Sequence, residues 1–169
     1  VRSVAAISPG VMGITGIETV EIIQGVVEKL KPDLIIAIDA LAARKFSRIN
    51  STIQMSDTGV APGAGVGNKR MTLNEQTLGV PVLALGVPTV VDAATLINDT
   101  MDRMLEEMIA QTEQGSAFYE MLHNMDTDEK YRLIVDILNP YVGNMFVTPK
   151  EVDAVVERLA NIIANAINI

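Results

Sequence analysis

"DLIIAIDA", from Asp33 to Ala40, is a short and nearly unbroken apolar run held between turn residues. Such a run predicts a strand whose two faces are both covered by helices, because a strand with one wet face alternates apolar and polar residues instead. Asp39 falls at its end. Ligands of open α/β sheets gather beyond the carboxyl ends of the strands. A carboxylate there loses part of its hydration, which raises its pKa and suits it to acid-base work. The competing reading makes Asp39 the N-cap of a helix beginning at Ala40.

Working outward, "VPVLALGVP" (Val80 to Pro88) has the same character and predicts a second buried strand. Upstream, Val20, Ile23, Val27 and Leu30 follow helical spacing, and Thr15 with Glu18 three residues on forms a capping-box pattern. That predicts a helix over 17–30. Arg2 to Ile7 reads as a further strand, so strand, helix and strand would make a right-handed βαβ unit.

The second half of the chain reads as helical. "TVVDAATLINDTMDRMLEEMIA" (Thr89 to Ala110) sets Ile97, Met101, Met104 and Met108 on one face, and Asp92 reads as a first-turn residue. Phe118, Met121, Leu122 and Met125 form another apolar stripe, with the methionines expected as core filler. Asp126 and Glu129 predict a cap for the next helix. Thr148-Pro149-Lys150-Glu151 combines cap, first-turn proline and acid at the head of a last helix carrying Val152, Val155, Leu159 and Ile163. The order of elements predicts a single α/β domain over 1–169, with an α/β core over 1–111 and a helical part over 112–169.

Composition narrows the chemistry. The chain has 169 residues, 49% of them apolar and 20% charged, enough to bury a core without staples. It has no cysteine and a single histidine, His123, placed between core residues of a helix. Thiol nucleophiles and cysteine metal sites are therefore excluded, and no cofactor or metal is expected from the remaining residues. The absence of cysteine fits a reducing cytoplasm. A net charge of -8 argues against a nucleic-acid backbone binder, and no apolar run is long enough for a membrane span.

The stretch "QMSDTGVAPGAGVGNKR", Gln54 to Arg70, raises two further possibilities. Asp57-Thr58-Gly59 matches the triplet of pepsin-like aspartic proteases. Their chemistry, however, needs two carboxylates across a symmetric all-β site, whereas this helix-rich chain has one triplet. A turn in which Asp57 bonds backbone two residues on is the simpler reading. The alternating glycines have neither phosphate-loop nor dinucleotide-binding spacing. From Arg44 to Arg70 there are five basic residues, Arg44, Lys45, Arg48, Lys69 and Arg70, against the single acid Asp57. Scattered loop charges are the plain explanation, and a basic rim that recognises acidic groups on a substrate is the sharper one.

Four stretches carry a resemblance: "SPGVMGITGIET" (Ser8 to Thr19), "KPDLIIAIDALAAR" (Lys31 to Arg44), "INSTIQMSDTGVAPGAGVGNKR" (Ile49 to Arg70) and "TLGVPVLALGVPTVVDA" (Thr77 to Ala93). Together they resemble the germination proteases of spore-forming bacteria. The resemblance implies a three-layer α/β/α sandwich similar to hydrogenase-maturation proteases, with a helical C-terminal third. It implies an endopeptidase of atypical aspartic type that degrades small acid-soluble spore proteins in the spore core during germination. Members are made as zymogens and assemble as homotetramers. Of their two proposed catalytic aspartates, one corresponds to Asp39, and the D-T-G triplet supplies neither. Arg44, Asp57, Lys69 and Arg70 then become candidate substrate contacts. The other aspartate lies in an N-terminal region with no counterpart before Ser8. The chain, which opens on Val1, is therefore expected to be a piece of a longer protein and inactive alone. The rival expectation is a non-catalytic assembly or regulatory α/β domain, and a third is an aspartic protease that uses Asp57 in a dimer.

Overall fold

A computed structural model describes residues 3–63, 70–142 and 145–168. The chain is mixed α/β, about half helical, with a small mixed sheet. Its elements are α1 (Met12–Thr15), α2 (Thr19–Leu30), β1 (Ile35–Ala43), a 3-10 turn (Phe46–Arg48), β2 (Gln54–Ser56), α3 (Glu75–Leu78), β3 (Val82–Asp92), α4 (Ala93–Ala110), α5 (Ala117–His123), α6 (Thr127–Val142), β4 (Phe146–Val147) and α7 (Val152–Ile167). Contacts divide them into two compact units, Val1–Leu41 with Ile53–Val87, and Ala42–Thr52 with Pro88–Ile169. Among the described residues no helix is long and apolar enough to cross a membrane.

The first unit is built on the amphipathic helix α2. Val20, only 1% exposed, meets Leu73, Leu78 and Val82, with Ile35 and Ala37 of β1 packed against them. Burying a valine side chain this completely contributes roughly 1.5–3 kcal/mol. Gln24 of α2 donates to the carbonyl of Thr77 (3.0 Å), which ties α2 to α3. Helix α3 opens with a reciprocal cap: Asn74 accepts the N–H of Thr77, and Thr77 accepts the N–H of Asn74. Two expectations fail here. Residues 3–10 form no strand, so the βαβ unit is absent from the described residues. Glu18 does not serve the capping box, because Thr15 closes on its own neighbour Ile17 and Glu18 turns to Arg70.

Strand β2 pairs antiparallel with β3 through Gln54↔Gly86, Met55↔Leu85 and Ser56↔Ala84. β1 lies on the other side of β3. Gly86 permits that approach, since a methyl group there would run into the side chain of Leu41. β1 is longer than the apolar run predicts, and it is not covered on both faces. Its burial alternates: Ile35, Ala37 and Asp39 are half-buried, whereas Ile36 and Ile38 are 40% and 53% exposed.

In the second unit, β3 continues through Pro88 to Asp92, where the sequence predicts helix from Thr89. The proline falls between the two antiparallel pairings: β2 stops at Gly86, and β4 joins only at Val91 and Asp92. Neither antiparallel ladder loses a donor. The Pro88 carbonyl accepts the N–H of Asn50 at 2.8 Å. Asp92 is the N-cap of α4 and takes the N–H groups of Ala94 (2.9 Å) and Thr95 (3.2 Å). Asp126 caps α6 through the N–H of Glu129 at 2.8 Å, as its spacing predicts.

The last helix starts at Val152. Thr148, expected as its cap, instead donates to the carbonyl of Thr89 at 2.9 Å, because the short strand β4 holds it beside β3. Ile134 of α6 and Ile163 of α7 are buried. The methionine stripe behaves differently from the expected core filler: Met104, Met108, Met121 and Met125 are all exposed.

Candidate functional site

Asp39 lies in the middle of β1 rather than beyond its end, because the strand continues through Ala40, Leu41 and Ala42 to Ala43. That also removes the helix-cap alternative. Strand alternation puts its side chain on the same side as Ile35 and Ala37, the side that meets the apolar cluster of the first unit. Burial there pushes the Asp39 carboxyl above its ordinary range, and the hydrogen bond from the N–H of Ala40 (2.9 Å) opposes the rise only in part. The carboxyl is thus half-buried and more readily protonated than a solvated one, as reasoned from the sequence although at a different place in the strand.

Asp57 sits on an exposed turn after β2. The hydroxyl of Ser56, not the Asp57 carboxylate, takes the N–H two residues on, that of Thr58 (3.1 Å), and lies 2.6 Å from the Thr58 hydroxyl. Gly59 follows at φ 89°, and a Cβ there would strike the Leu73 carbonyl, to which Val60 bridges. The D-T-G glycine is accounted for by this turn.

Arg70 is partly buried, and its guanidinium meets Glu18 at 3.0 Å and the sulfur of Met12. Lys69 lies outside the described residues, as does most of the glycine-rich run. Within the first unit, then, Asp39 is a half-buried carboxyl, Asp57 an exposed one, and Arg70 a cation already engaged. Among the described residues Asp39 accepts a hydrogen bond only from its neighbour Ala40.

Arg44 belongs to the second unit. With Lys45 and Phe46 it lines an open groove of about 980 Å³ against α4 and α6. Lys130 of α6 contributes there although it is 7% exposed, paired to Asp102 of α4. Asp102 also takes the amide N–H of Asn98 at 3.1 Å, and Asp99 takes the backbone N–H of Phe46 at 2.7 Å. The side-chain oxygen of Asn98 is closed off from solvent and has no donor, as is that of Asn50, a residue at φ 54°. Sequence reasoning missed this cluster. Asn98 and Asp102 stand four apart on a helix, which is a legible pair, but Lys130 joins them from 28 residues away. Among the described residues no group of three or more acidic, histidine or cysteine side chains is placed to hold a metal.

Comparison with known proteins fits these residues into a family. The family model described as "Germination protease" matches residues 1–116 and 103–169. The "Germination protease" of Clostridium perfringens (strain 13 / Type A) is 61% identical over 169 residues, 100% of this chain and 52% of the relative. That of Caldanaerobacter subterraneus subsp. tengcongensis is 54% identical over the same span. That of Geobacillus sp. (strain WCH70) is 47% identical over 198 residues, 99% of this chain and 53% of the relative. The chain belongs to the germination protease family. It spans about half the length of the curated relatives it matches.

Proposed function

We propose that the protein carrying this chain is an endopeptidase that degrades small acid-soluble spore proteins during germination, with Asp39 as one member of a catalytic carboxylate pair. Family membership supports the peptidase. The observation that carries the assignment is the half-buried Asp39 carboxyl, whose pKa burial raises. In such a pair the ionised carboxylate takes a proton from water while the water oxygen bonds to the peptide carbon. The protonated partner then gives its proton to the leaving nitrogen as the C–N bond breaks. A carboxyl with a raised pKa suits the protonated role.

The second carboxylate is placed, in this reading, in the length of the relatives that the chain does not span. The chain alone is then expected to bind without turnover. The same reading takes in the zymogen, the homotetramer, the three-layer α/β/α sandwich and the spore core. The alternative, a non-catalytic assembly domain, draws support from the exposed apolar side chains Met104, Leu133 and Ile137 on α4 and α6.

The test is mass-spectrometric detection of cleavage of an acid-soluble spore protein by the chain, by the same chain extended to the length of its relatives, and by the extended form carrying Asp39→Asn. Cleavage by the extended form alone, lost on Asp39→Asn, is the expected result. Undiminished cleavage by the variant would remove Asp39 from the mechanism.

A further inference from the structure

Sulfur chemistry in this chain belongs to methionine alone, since there is no cysteine. Of the nine methionines, Met101 is half-buried and the other eight are exposed, within reach of peroxides. Among the described residues only Met12 has its sulfur against a polar group. The Nη1 of Arg70 donates to it while meeting the Glu18 carboxylate at 3.0 Å. Met71, the residue after Arg70, is as open as Met12, 44% exposed against 42%, and has no such contact. Oxygen added at the other methionines alters only the polarity of open surface. Oxygen added at Met12 alters what Arg70 is bonded to.

We propose that Met12 is an oxidation site whose sulfoxide tightens the hold of Arg70 on α1. The oxidant is hydrogen peroxide. The sulfur lone pair attacks one peroxide oxygen, the O–O bond breaks, and the departing hydroxide takes the proton of the transferred oxygen and leaves as water. The thioether is oxidised by two electrons and the peroxide is reduced. A thioether sulfur is a weak acceptor. The sulfoxide oxygen carries partial negative charge, and a hydrogen bond to it from a guanidinium is charge-assisted. Arginine presents five N–H donors, so it can serve the new oxygen without releasing Glu18. Position gives the change its reach. Met12 opens α1, Glu18 is the N-cap residue of α2, and Arg70 closes the glycine-rich stretch, so one guanidinium joins three segments. Methionine sulfoxide is reduced enzymatically, which makes the change resettable. The same cation draws electron density from the sulfur, so Met12 oxidises more slowly than Met71. None of this depends on the role of Asp39.

The test treats the whole chain with hydrogen peroxide and follows each methionine by peptide mass spectrometry. Met12 is expected to oxidise more slowly than Met71 in the parent and at a similar rate in Arg70→Ala. Hydrogen exchange then reads the hold itself. The N–H groups of Ile14, Thr15 and Gly16, which close the α1 turn, are expected to exchange about tenfold more slowly once Met12 is oxidised, the worth of one added hydrogen bond. Met12→Leu keeps the bulk without the sulfur and should show no change at α1 after the same treatment, which separates Met12 from the other methionines. Should Arg70→Ala fail to fold, the parent and Met12→Leu decide between them. Unchanged or faster exchange at α1 in the oxidised parent would overturn the proposal. So would slowing that survives in Met12→Leu or in a folded Arg70→Ala, or a Met12 that oxidises as fast as Met71.

Discussion

Arg70 and Glu18, 52 residues apart in sequence, meet at 3.0 Å with side chains only 22% and 28% exposed. The pair joins the start of α2 to the far end of the glycine-rich stretch. An arginine that looks, in sequence, like a loose cation ready for substrate is held inside its own unit.

A double-mutant cycle measures that hold. Arg70→Ala and Glu18→Ala are each expected to cost about 0.5–1 kcal/mol in urea denaturation, and the double variant less than their sum. Strict additivity would mean that the contact contributes nothing.

Asp39→Asn carries a pH signature that is separate from activity. Burial raises the native carboxyl's pKa, so between its unfolded and folded titration points the native state keeps a proton that the unfolded chain releases. Stability from that proton is present at acidic pH and is lost as pH rises through the folded pKa. Asparagine never ionises. The variant should therefore match the parent in acid and exceed it near neutrality, as read from urea midpoints at the two pH values. A variant less stable than the parent near neutrality would mean that the ionised carboxylate is favoured in the fold.

Gly86→Ala tests the packing of β1 on β3. The added methyl must displace the side chain of Leu41, and overpacking of this kind costs about 1–3 kcal/mol. Pairing Gly86→Ala with Leu41→Ala should recover part of the loss. Thermal denaturation of the single and double variants checks it.

The Lys130–Asp102 pair predicts an asymmetry. The lysine side chain is 5% exposed and the aspartate 41%, so removing either partner strands a different charge. Asp102→Ala leaves an ammonium buried and unpaired, at a cost of about 3–5 kcal/mol. Lys130→Met keeps the aliphatic stem and leaves a carboxylate that water can reach, which should be the milder change. Equal losses in chemical denaturation would contradict this picture.

What the sequence made legible was what local spacing encodes. The helices of the second half and the Asp126 cap follow from residues three to four positions apart, and the strand around Asp39 from an unbroken apolar run. Longer reach was hidden. Thr148 has the pattern of a helix cap but is taken by Thr89, and Glu18 has the pattern of a capping box but is taken by Arg70. Pro88 reads as the end of a strand because no local pattern reports where the antiparallel partners of β3 stop. The expected burial of β1 on both faces failed for a related reason: an apolar run states what could be covered, not what covers it. Of the proposed site, the half-burial of Asp39 was legible, whereas the groove beside Arg44 depends on helix packing that no local spacing reports.

The division into two units has an optical corollary. The chain has no tryptophan and three tyrosines, Tyr119, Tyr131 and Tyr141, and all three belong to the second unit. Intrinsic emission therefore watches that unit alone, while the unit that holds Asp39 stays dark. A fluorescence melt and a circular dichroism melt of the same sample would follow different parts of the molecule, and any gap between them would time the loss of one unit against the other.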